Sequence, residues 1–189
     1  MQIIVGMSGA SGVIMGYYLL AALKQSPDVK KIHLVVTKSA RRTWDLETSI
    51  PFSKLEELAD VVHSDENIAA SIASGSFVTD GMIVVPCSMK TLSAIAAGYA
   101  SNLLVRAVDV CLKENRKVVL VPREMPLGKV HIRNLKEASD IGCIIVPPML
   151  TFYNMPDSLE NQINHVVGKV LMQFGISYHG FVSWKGVEG

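Results

Sequence analysis

The sequence predicts an α/β fold in which an open parallel sheet carries helices on both faces. Five short runs rich in β-branched residues recur, and most are apolar without alternation, which is typical of strands buried on both sides. The segments between them are long enough for crossover helices, which parallel strands require. The predicted strands cover residues 2–5, 31–36, 82–85, 118–121 and 143–146.

The clearest helix signal lies near the carboxyl terminus. Apolar residues from Leu159 to Phe174 recur with the spacing of an amphipathic helix. Asp157 and Glu160 are spaced as a capping box, which predicts the helix start. Gly175 is placed to end the helix. No periodicity follows, so we expect one domain over residues 1–175 and a tail over 176–189.

A second helix is expected between residues 101 and 117. It is apolar around most of its circumference, and its charged stripe consists of Arg106, Asp109 and Lys113. A helix on one sheet face needs an apolar arc on one side only. The remaining apolar surface is therefore expected to contact a neighbouring subunit, which predicts an oligomer.

Composition excludes several function classes. The 189 residues have a formal net charge of +1, so no bulk field favours nucleic acid or an acidic membrane. Cys87, Cys111 and Cys143 match neither a zinc pattern nor a disulfide framework, which favours reduced thiols in the cytoplasm and no metal. The uncharged stretch 2–23 is interrupted by glycines, so it is interpreted as strand, turn and helix rather than a membrane span.

The loop after the first strand, residues 6–12, has the sequence Gly-Met-Ser-Gly-Ala-Ser-Gly. Its glycines allow a ligand to approach the backbone, and the following helix start favours an anion. It matches neither the dinucleotide fingerprint nor the P-loop, and Thr37 and Lys38 stand where an acidic ribose ligand would end the second strand. FMN, with its single phosphate, is therefore a better ligand than NAD, although a plain tight turn would have the same sequence.

The loop after the third strand supplies a second anion-friendly helix start. Ser88, Lys90 and Thr91 offer two hydroxyls and an ammonium there. A purely structural N-cap at Ser88 is the alternative interpretation.

The last two strand ends carry weaker signals. Arg123 and Glu124 lie between prolines after the fourth strand, where a surface ion pair is the alternative. Phe152 and Tyr153 follow the fifth strand, where aromatic rings stack on a planar ligand or pack in the core. All these residues converge on one sheet edge, the ligand-binding edge of such folds.

Seven motifs occur in a characteristic order along the chain. They are Gly9-Ala10-Ser11-Gly12, Leu46-Glu47-Thr48, Ala73-Ser74-Gly75-Ser76, Pro86-Cys87-Ser88-Met89-Lys90-Thr91, residues 106–114, Pro122-Arg123-Glu124 and Phe152-Tyr153. In this order and spacing the chain resembles the UbiX-like flavin prenyltransferases from residue 2 to about residue 175. The variants around residues 123–126 and 152–154 are most similar to members that accompany phenolic-acid decarboxylases.

The resemblance implies a flavodoxin/Rossmann-like subunit of a homo-oligomer, commonly a dodecamer, that binds FMN between subunits. It implies transfer of a dimethylallyl group from dimethylallyl phosphate to N5 and C6 of reduced FMN, without a metal. The prenylated FMN then serves a separate UbiD-like decarboxylase, the expected functional partner.

The resemblance also implies roles for individual residues. FMN-binding residues would be Gly9, Ala10, Ser11, Thr37, Ser88, Met89, Lys90, Thr91 and Arg123. Prenyl-phosphate residues would be Ser74, Arg106, Lys113, Glu124, Tyr153 and Lys169, assembled across a subunit boundary. Ser11, near N5, and the carboxylates Glu47 and Glu124 would be catalytic. Lys169 departs from the arginine common in relatives, and so keeps the charge but loses bidentate phosphate geometry.

The chemistry agrees with these residue types. Cleavage of an allylic C–O bond creates a cation-like group and a phosphate, so cations must receive the phosphate. Arg106 and Lys113 share a helix face, although with Asp109 they also fit a solvated charged stripe. Two other functions stay open: a flavin-dependent decarboxylase acting directly on an aromatic acid, and a non-catalytic flavin carrier.

Overall fold

The sheet is described by a computed structural model that covers residues 1–186. Six strands form a single parallel sheet in the order β3-β2-β1-β4-β5-β6. This is the Rossmann doubly wound order, and without the edge strand β3 it becomes the flavodoxin order. The predicted fold class is confirmed. The strands are β1 (Gln2–Met7), β2 (Lys31–Val36), β3 (Val61–Ser64), β4 (Gly81–Cys87), β5 (Lys117–Pro122) and β6 (Cys143–Ile145).

The edge strand β3 is the strand that the sequence did not predict. It has four residues, and its side chains alternate between half-buried and exposed. A short, half-exposed edge strand lacks the continuous apolar run that marks a buried parallel strand.

Helices cover both faces of the sheet. One core packs α1, α2 and α7 against residues such as Ile3 and Val5, and the other packs α4, α5 and α6 against Ile4 and Val84. Neighbouring residues of one strand thus serve opposite cores, as period-2 alternation requires. The helices are α1 (Ile14–Gln25), α2 (Lys38–Glu47), α3 (Phe52–Glu56), α4 (Met89–Ala96), α5 (Leu103–Lys113), α6 (Lys129–Asp140) and α7 (Leu159–Met172), with a 3-10 turn at Ser71–Ala73.

Helix α5 needs no second subunit to cover its apolar residues. Seven of its apolar residues, from Leu103 to Cys111, are at most 3% exposed within the single chain. The sheet, α4 and the 3-10 turn enclose the helix. The inference of an oligomer from α5 is therefore wrong in its reasoning, because a helix between a sheet and two flanking segments is apolar on several sides.

Helix α7 is confirmed, but its predicted capping box is wrong. Ser158 is the N-cap, and its hydroxyl accepts a hydrogen bond from the Asn161 amide at 3.2 Å. Asp157 lies one residue earlier and accepts from the side chain of Asn161. Gly175 ends the helix as predicted, with a φ of +72° that disfavours other residues.

The segment after Gly175 packs back onto α7 without forming a helix or strand. Tyr178 donates to Asn164 Oδ1 at 2.8 Å, and the Phe181 ring lies 4.9 Å from that of His165. The predicted tail continues through residues 187–189, which lie outside the described residues. None of the helices within residues 1–186 is long and apolar enough to cross a bilayer.

Candidate active site

Ser8 joins the tips of the two central strands, β1 and β4. Its hydroxyl donates to the Pro86 carbonyl at 3.1 Å and accepts from the Ser88 amide at 2.8 Å. The switch point of the doubly wound sheet lies here, where ligands of such folds bind. Ser8, which is buried, was not among the predicted site residues, although its place directly after the first strand was a usable signal.

The glycine-rich loop after β1 packs tightly against the start of α2. A Cβ on Gly9 would lie 2.5 Å from both the Cβ and the Oγ of Ser39, so no side chain fits there. Gly12 has a φ of +96°, and its amide donates to Glu47 Oε2 at 2.8 Å. The fold therefore brings the predicted catalytic Glu47 to the predicted flavin loop.

A groove of about 420 Å³ lies beside these strand tips and collects several predicted cofactor residues. Helices α2 and α4 begin there, as does α5, whose N-cap Asn102 also lines the groove. Thr37 Oγ1 accepts from the Ala40 amide at 3.1 Å, and Ser88 Oγ accepts from the Thr91 amide at 3.3 Å. The positive ends of α2 and α4 thus meet at this groove and favour an anion. The predicted residues lining it are Thr37, Ser88, Lys90 and Thr91.

The alternative interpretation of Ser88, as a helix N-cap, is correct. Ser88 is the N-cap of α4, and its hydroxyl also donates to Thr91 Oγ1 at 3.1 Å. An N-cap side chain satisfies only part of the first turn, since four helix amides lack intrahelical partners. Capping by Ser88 is therefore compatible with a ligand at the same helix start.

Acidic residues at the groove are paired within the chain. Glu66 forms an ion pair with Lys38, and this contact raises the pKa of Lys38. Asp65 accepts from the Asn102 side chain at 2.8 Å and from the Leu104 amide at 3.1 Å. Within residues 1–186, Lys90 forms no ion pair, so its charge is available to an anion.

The loop after β5 places Arg123 beside the same strand tips. Its amide donates to the Cys87 carbonyl at 3.2 Å, one residue before Ser88. Glu124 accepts from the Met125 amide at 3.0 Å and forms no ion pair with Arg123 within the described chain. Because the two side chains are not paired, the ion-pair interpretation is wrong for the described chain, in which both are exposed.

Tyr153 and Lys169 line a second groove of about 510 Å³, between the end of β6 and α7. Its walls are largely apolar, including Val146 and Met149. His165, which was not among the predicted site residues, also lines it and lies 3.0 Å from the Tyr153 hydroxyl. Phe152 is 75% exposed and does not line this groove, so the two aromatic residues predicted to act together lie apart.

Ser74, Arg106 and Lys113 form a third cluster around α5. Arg106 Nε donates to the Ala73 carbonyl at 3.2 Å, and Lys113 approaches Gly75. Arg106 is paired with Asp109 and Lys113 with Glu114, as a solvated charged stripe would be. Lys113 ends α5 four residues before β5 begins, which places it near the amino edge of the sheet.

Tyr153 follows β6 and therefore lies toward the carboxyl edge. The two sets of predicted phosphate-binding residues are thus separated within one chain, and the structure does not bring them together.

The three cysteines are buried and unpaired. Burial raises the pKa of Cys87, that of Cys111 to about 11 and that of Cys143 to about 12. A thiol held neutral is a poor nucleophile, which agrees with a packing role for Cys87. Residues 1–186 contain no group of three or more histidine, cysteine or acidic side chains that could hold a metal ion.

Comparisons with known proteins agree with this geometry. The flavoprotein family matches residues 1–175. A probable UbiX-like flavin prenyltransferase of Sedimentibacter hydroxybenzoicus is 61% identical over 188 residues, which cover all of this chain and 99% of that protein. The flavin prenyltransferase UbiX of Escherichia coli strain K12 is 48% identical, with 98% of each chain covered. This chain belongs to the UbiX-like flavin prenyltransferases.

Solved structures of similar proteins show the same fold. The dodecameric FMN-dependent UbiX-like decarboxylase from Escherichia coli O157:H7 superposes with a TM-score of 0.96 at 50% identity, covering 98% of this chain and 100% of that one. AnUbiX (PadA1), in complex with FMN and dimethylallyl pyrophosphate, gives 0.95 at 44% identity and covers 99% and 98%. The family resemblance is confirmed, while the roles of the individual residues stay predictions.

Proposed function

We propose that this UbiX-like chain transfers a dimethylallyl group from dimethylallyl phosphate to N5 and C6 of reduced FMN. The prenylated FMN would then serve a separate UbiD-like decarboxylase. One observation carries the proposal: the strand tips hold a groove at helix starts that favour an anion, and a second groove, at the end of β6, combines apolar walls with a tyrosine and a lysine. The first fits a flavin phosphate, and the second fits an allylic phosphate with an apolar tail.

The residues at the strand tips fit FMN. The α2 and α4 starts, with Lys90, offer amides and a cation for one phosphate group. Gly9 lets the loop pack closely against Ser39 at the start of α2, which fixes the loop beside the groove. The binding residues in this proposal are Gly9, Ala10, Ser11, Thr37, Ser88, Met89, Lys90, Thr91 and Arg123.

The donor phosphate would be held by residues of two copies of the chain. Tyr153 and Lys169 come from one copy, and the α5 cluster of Ser74, Arg106 and Lys113 comes from another. Glu124, in the loop after β5, would also contribute. Two features support this division: the separation of the two sets in a single chain, and the dodecameric state of a relative at 50% identity. A homo-oligomer of twelve copies is therefore part of the proposal.

The chain's own groups supply charge and proton handling. Lysine and arginine side chains stabilise the phosphate as the allylic C–O bond breaks, and the apolar walls exclude water from the cation-like group. Reduced FMN supplies the nucleophilic nitrogen and carbon. In this proposal Glu47, which accepts from the Gly12 amide, or Glu124 accepts the ring proton, and Ser11 belongs to the same loop as Gly12.

A prenyl-adduct assay tests the proposal directly. Purified chain is incubated anaerobically with reduced FMN and either dimethylallyl monophosphate or diphosphate, and the flavin is analysed by mass spectrometry. We expect an added five-carbon group with at least one donor. Unchanged flavin with both donors would contradict the proposal. Exchange of Glu47→Gln should lower the rate about 100-fold while FMN still binds, a size typical of removing one proton-transfer group.

The same assay separates the two other functions. One relative is called an FMN-dependent decarboxylase, so release of CO₂ from a phenolic acid by this chain alone, without flavin prenylation, would favour direct decarboxylation. Full activation of a UbiD-like decarboxylase by Glu47→Gln and Glu124→Gln would favour a flavin carrier. Cytoplasmic location also stays a proposal, supported by three unpaired cysteines.

A further inference from the structure

His165 is a buried polar residue that no role assigned above explains. Its side chain is 2% exposed and lies on α7, one turn before Lys169. Its Nε2 is 3.0 Å from the hydroxyl of Tyr153, while its Nδ1 is buried without a hydrogen-bond partner among residues 1–186. A buried histidine with one nitrogen aimed at a site residue calls for a physical reason.

The unpartnered nitrogen identifies the tautomer. A buried N–H group without an acceptor is rare, whereas an under-satisfied acceptor is better tolerated. Burial, reinforced by Lys169, lowers the pKa of His165, so the ring is neutral and carries one proton. That proton belongs on Nε2, from which it is donated to the oxygen of Tyr153.

This direction of the hydrogen bond determines what Tyr153 can do. Because the phenolic oxygen accepts from His165, its own proton is free to be donated into the groove. With the other tautomer, the hydroxyl proton would be used on the imidazole, and the groove would face only an oxygen lone pair. A phosphate oxygen requires a donor.

The surroundings hold the imidazole in place. The Phe181 ring lies 4.9 Å from the imidazole, tilted by 31°, and the Tyr153 ring meets it edge-on at 5.4 Å. The Lys169 ammonium lies 5.5 Å from the centre of the Phe181 ring. The buried imidazole is therefore packed between the rings of Phe181 and Tyr153, and Tyr153 and Lys169 line the groove beside it.

We propose that His165 is a positioning residue that orients the hydroxyl of Tyr153, so that its proton points at the phosphate of the prenyl donor. The inference rests on the proposed function only in the identity of that phosphate. In this proposal His165 acts through the Tyr153 hydroxyl and not on the donor itself.

Kinetics of three variants test the role. His165→Phe keeps a ring for Phe181 to contact but removes the donor, and we expect about a tenfold rise in KM for the prenyl donor with kcat and FMN affinity nearly unchanged, the size of one hydrogen bond to a charged group. His165→Gln, whose amide nitrogen can replace Nε2, should restore most of the affinity. His165→Asn is the matched control, because its shorter amide cannot reach the phenol.

A double-mutant cycle decides whether His165 acts through Tyr153. In a Tyr153→Phe background, His165→Phe should raise KM no further. Additive effects, or an unchanged KM in His165→Phe alone, would overturn the proposal. Thermal unfolding and FMN binding of each variant separate a loss of fold from a loss of donor affinity.

A ligand-free measurement keeps the inference distinct from the proposed function. Solid-state NMR of the full chain with 15N-labelled histidine, assigned with the His165→Gln variant, should show Nε2 protonated and Nδ1 unprotonated at neutral pH. The opposite tautomer would overturn the proposal even if the wild-type chain prenylates FMN. A failed adduct assay with the expected tautomer would instead contradict the prenyl-phosphate function alone.

Discussion

Two buried histidines on opposite faces of the sheet have nearly the same surroundings. His33 and His165 are each 2% exposed, each leave one ring nitrogen without a partner in the described chain, and each pack against a phenylalanine. The pKa of each is lowered, with burial as the largest cause. Burial and titration therefore do not distinguish them.

The hydrogen-bond partners of His33 and His165 distinguish the two residues. His33 Nδ1 lies 3.0 Å from Nε2 of His63, and the two residues belong to the neighbouring strands β2 and β3. His165 contacts Tyr153, whose hydroxyl faces a groove. The His33–His63 pair joins two strands, whereas the His165–Tyr153 pair joins a core residue to a residue that lines the groove. The role of a buried histidine thus depends on what its partner faces.

The largest expected effect is a loss of folding stability at acid pH, caused by protonation of His33. Burial, with His63 as the second cause, lowers the pKa of His33 from 6.5 to about 4, so the unfolded chain binds this proton more readily. The stabilising contribution is complete above pH 6.5 and is lost as the pH falls to about 4, an effect of roughly 3 kcal/mol. Urea unfolding at pH 7 and pH 4.5 measures it.

The control for this experiment is His33→Leu, which removes the titrating group. Its free energy of unfolding should change less between the two pH values than that of the wild type. An equal slope in both proteins would show that other groups cause the acid sensitivity. KM for the prenyl donor should be unchanged in His33→Leu, in contrast to His165→Phe.

The next effect concerns the segment that covers His165. A Cβ on Gly168 would lie 2.3 Å from the Cβ of Phe181, so Gly168→Ala should push residues 176–186 away from α7. We expect a loss of about 2 kcal/mol, the usual cost of overpacking, together with a rise in KM for the donor. Chemical unfolding and donor kinetics measure the two effects.

Phe181→Gly provides the matched background, because it removes both the Cβ and the ring that the added methyl group would meet. Gly168→Ala should cost little further stability there. An equal cost in both backgrounds would mean that α7 itself, and not the covering segment, opposes the added methyl group.

The smallest effect is on the His33 side, at the start of α5. Asp65 directly follows β3 and accepts from the Leu104 amide and the Asn102 side chain. Asp65→Ala should lower the free energy of unfolding by about 1 kcal/mol, as the loss of a helix cap does, without changing KM for the donor. Urea unfolding checks the stability loss and steady-state kinetics check the KM. A changed KM would mean that Asp65 contributes to the donor site.

Local sequence patterns predicted most of the strands and the residues at one helix start. The predicted strands at residues 82–85 and 118–121 lie inside β4 and β5, because a buried parallel strand has a continuous apolar run. Ser88, Lys90 and Thr91 share a groove because they are neighbours at one helix start. The cap of α7 was misplaced by one residue, since Asp157 and Ser158 are both good N-cap residues and local sequence does not choose between them.

Contacts between distant residues were beyond local patterns. Ser8 and Ser88 are 80 positions apart, and Gly12 and Glu47 are 35 apart. Tyr153 and His165 are only 12 apart, yet a loop and a helix start separate them. Helical spacing placed His165 one turn before Lys169, but nothing in that spacing showed which residue its imidazole would meet.

The sequence by itself determined which segments become buried strands, where helices begin to within a residue or so, and which side chains are available at the strand ends. Those properties depend on periodicity and on capping by near neighbours, which the order of residues dictates directly. The tertiary structure alone decided that Glu47 meets the glycine-rich loop after β1, that the α5 cations lie apart from Tyr153, and that His165 contacts the Tyr153 hydroxyl. Strand order and packing against α7 set these distances, and they exist only once the whole core has formed.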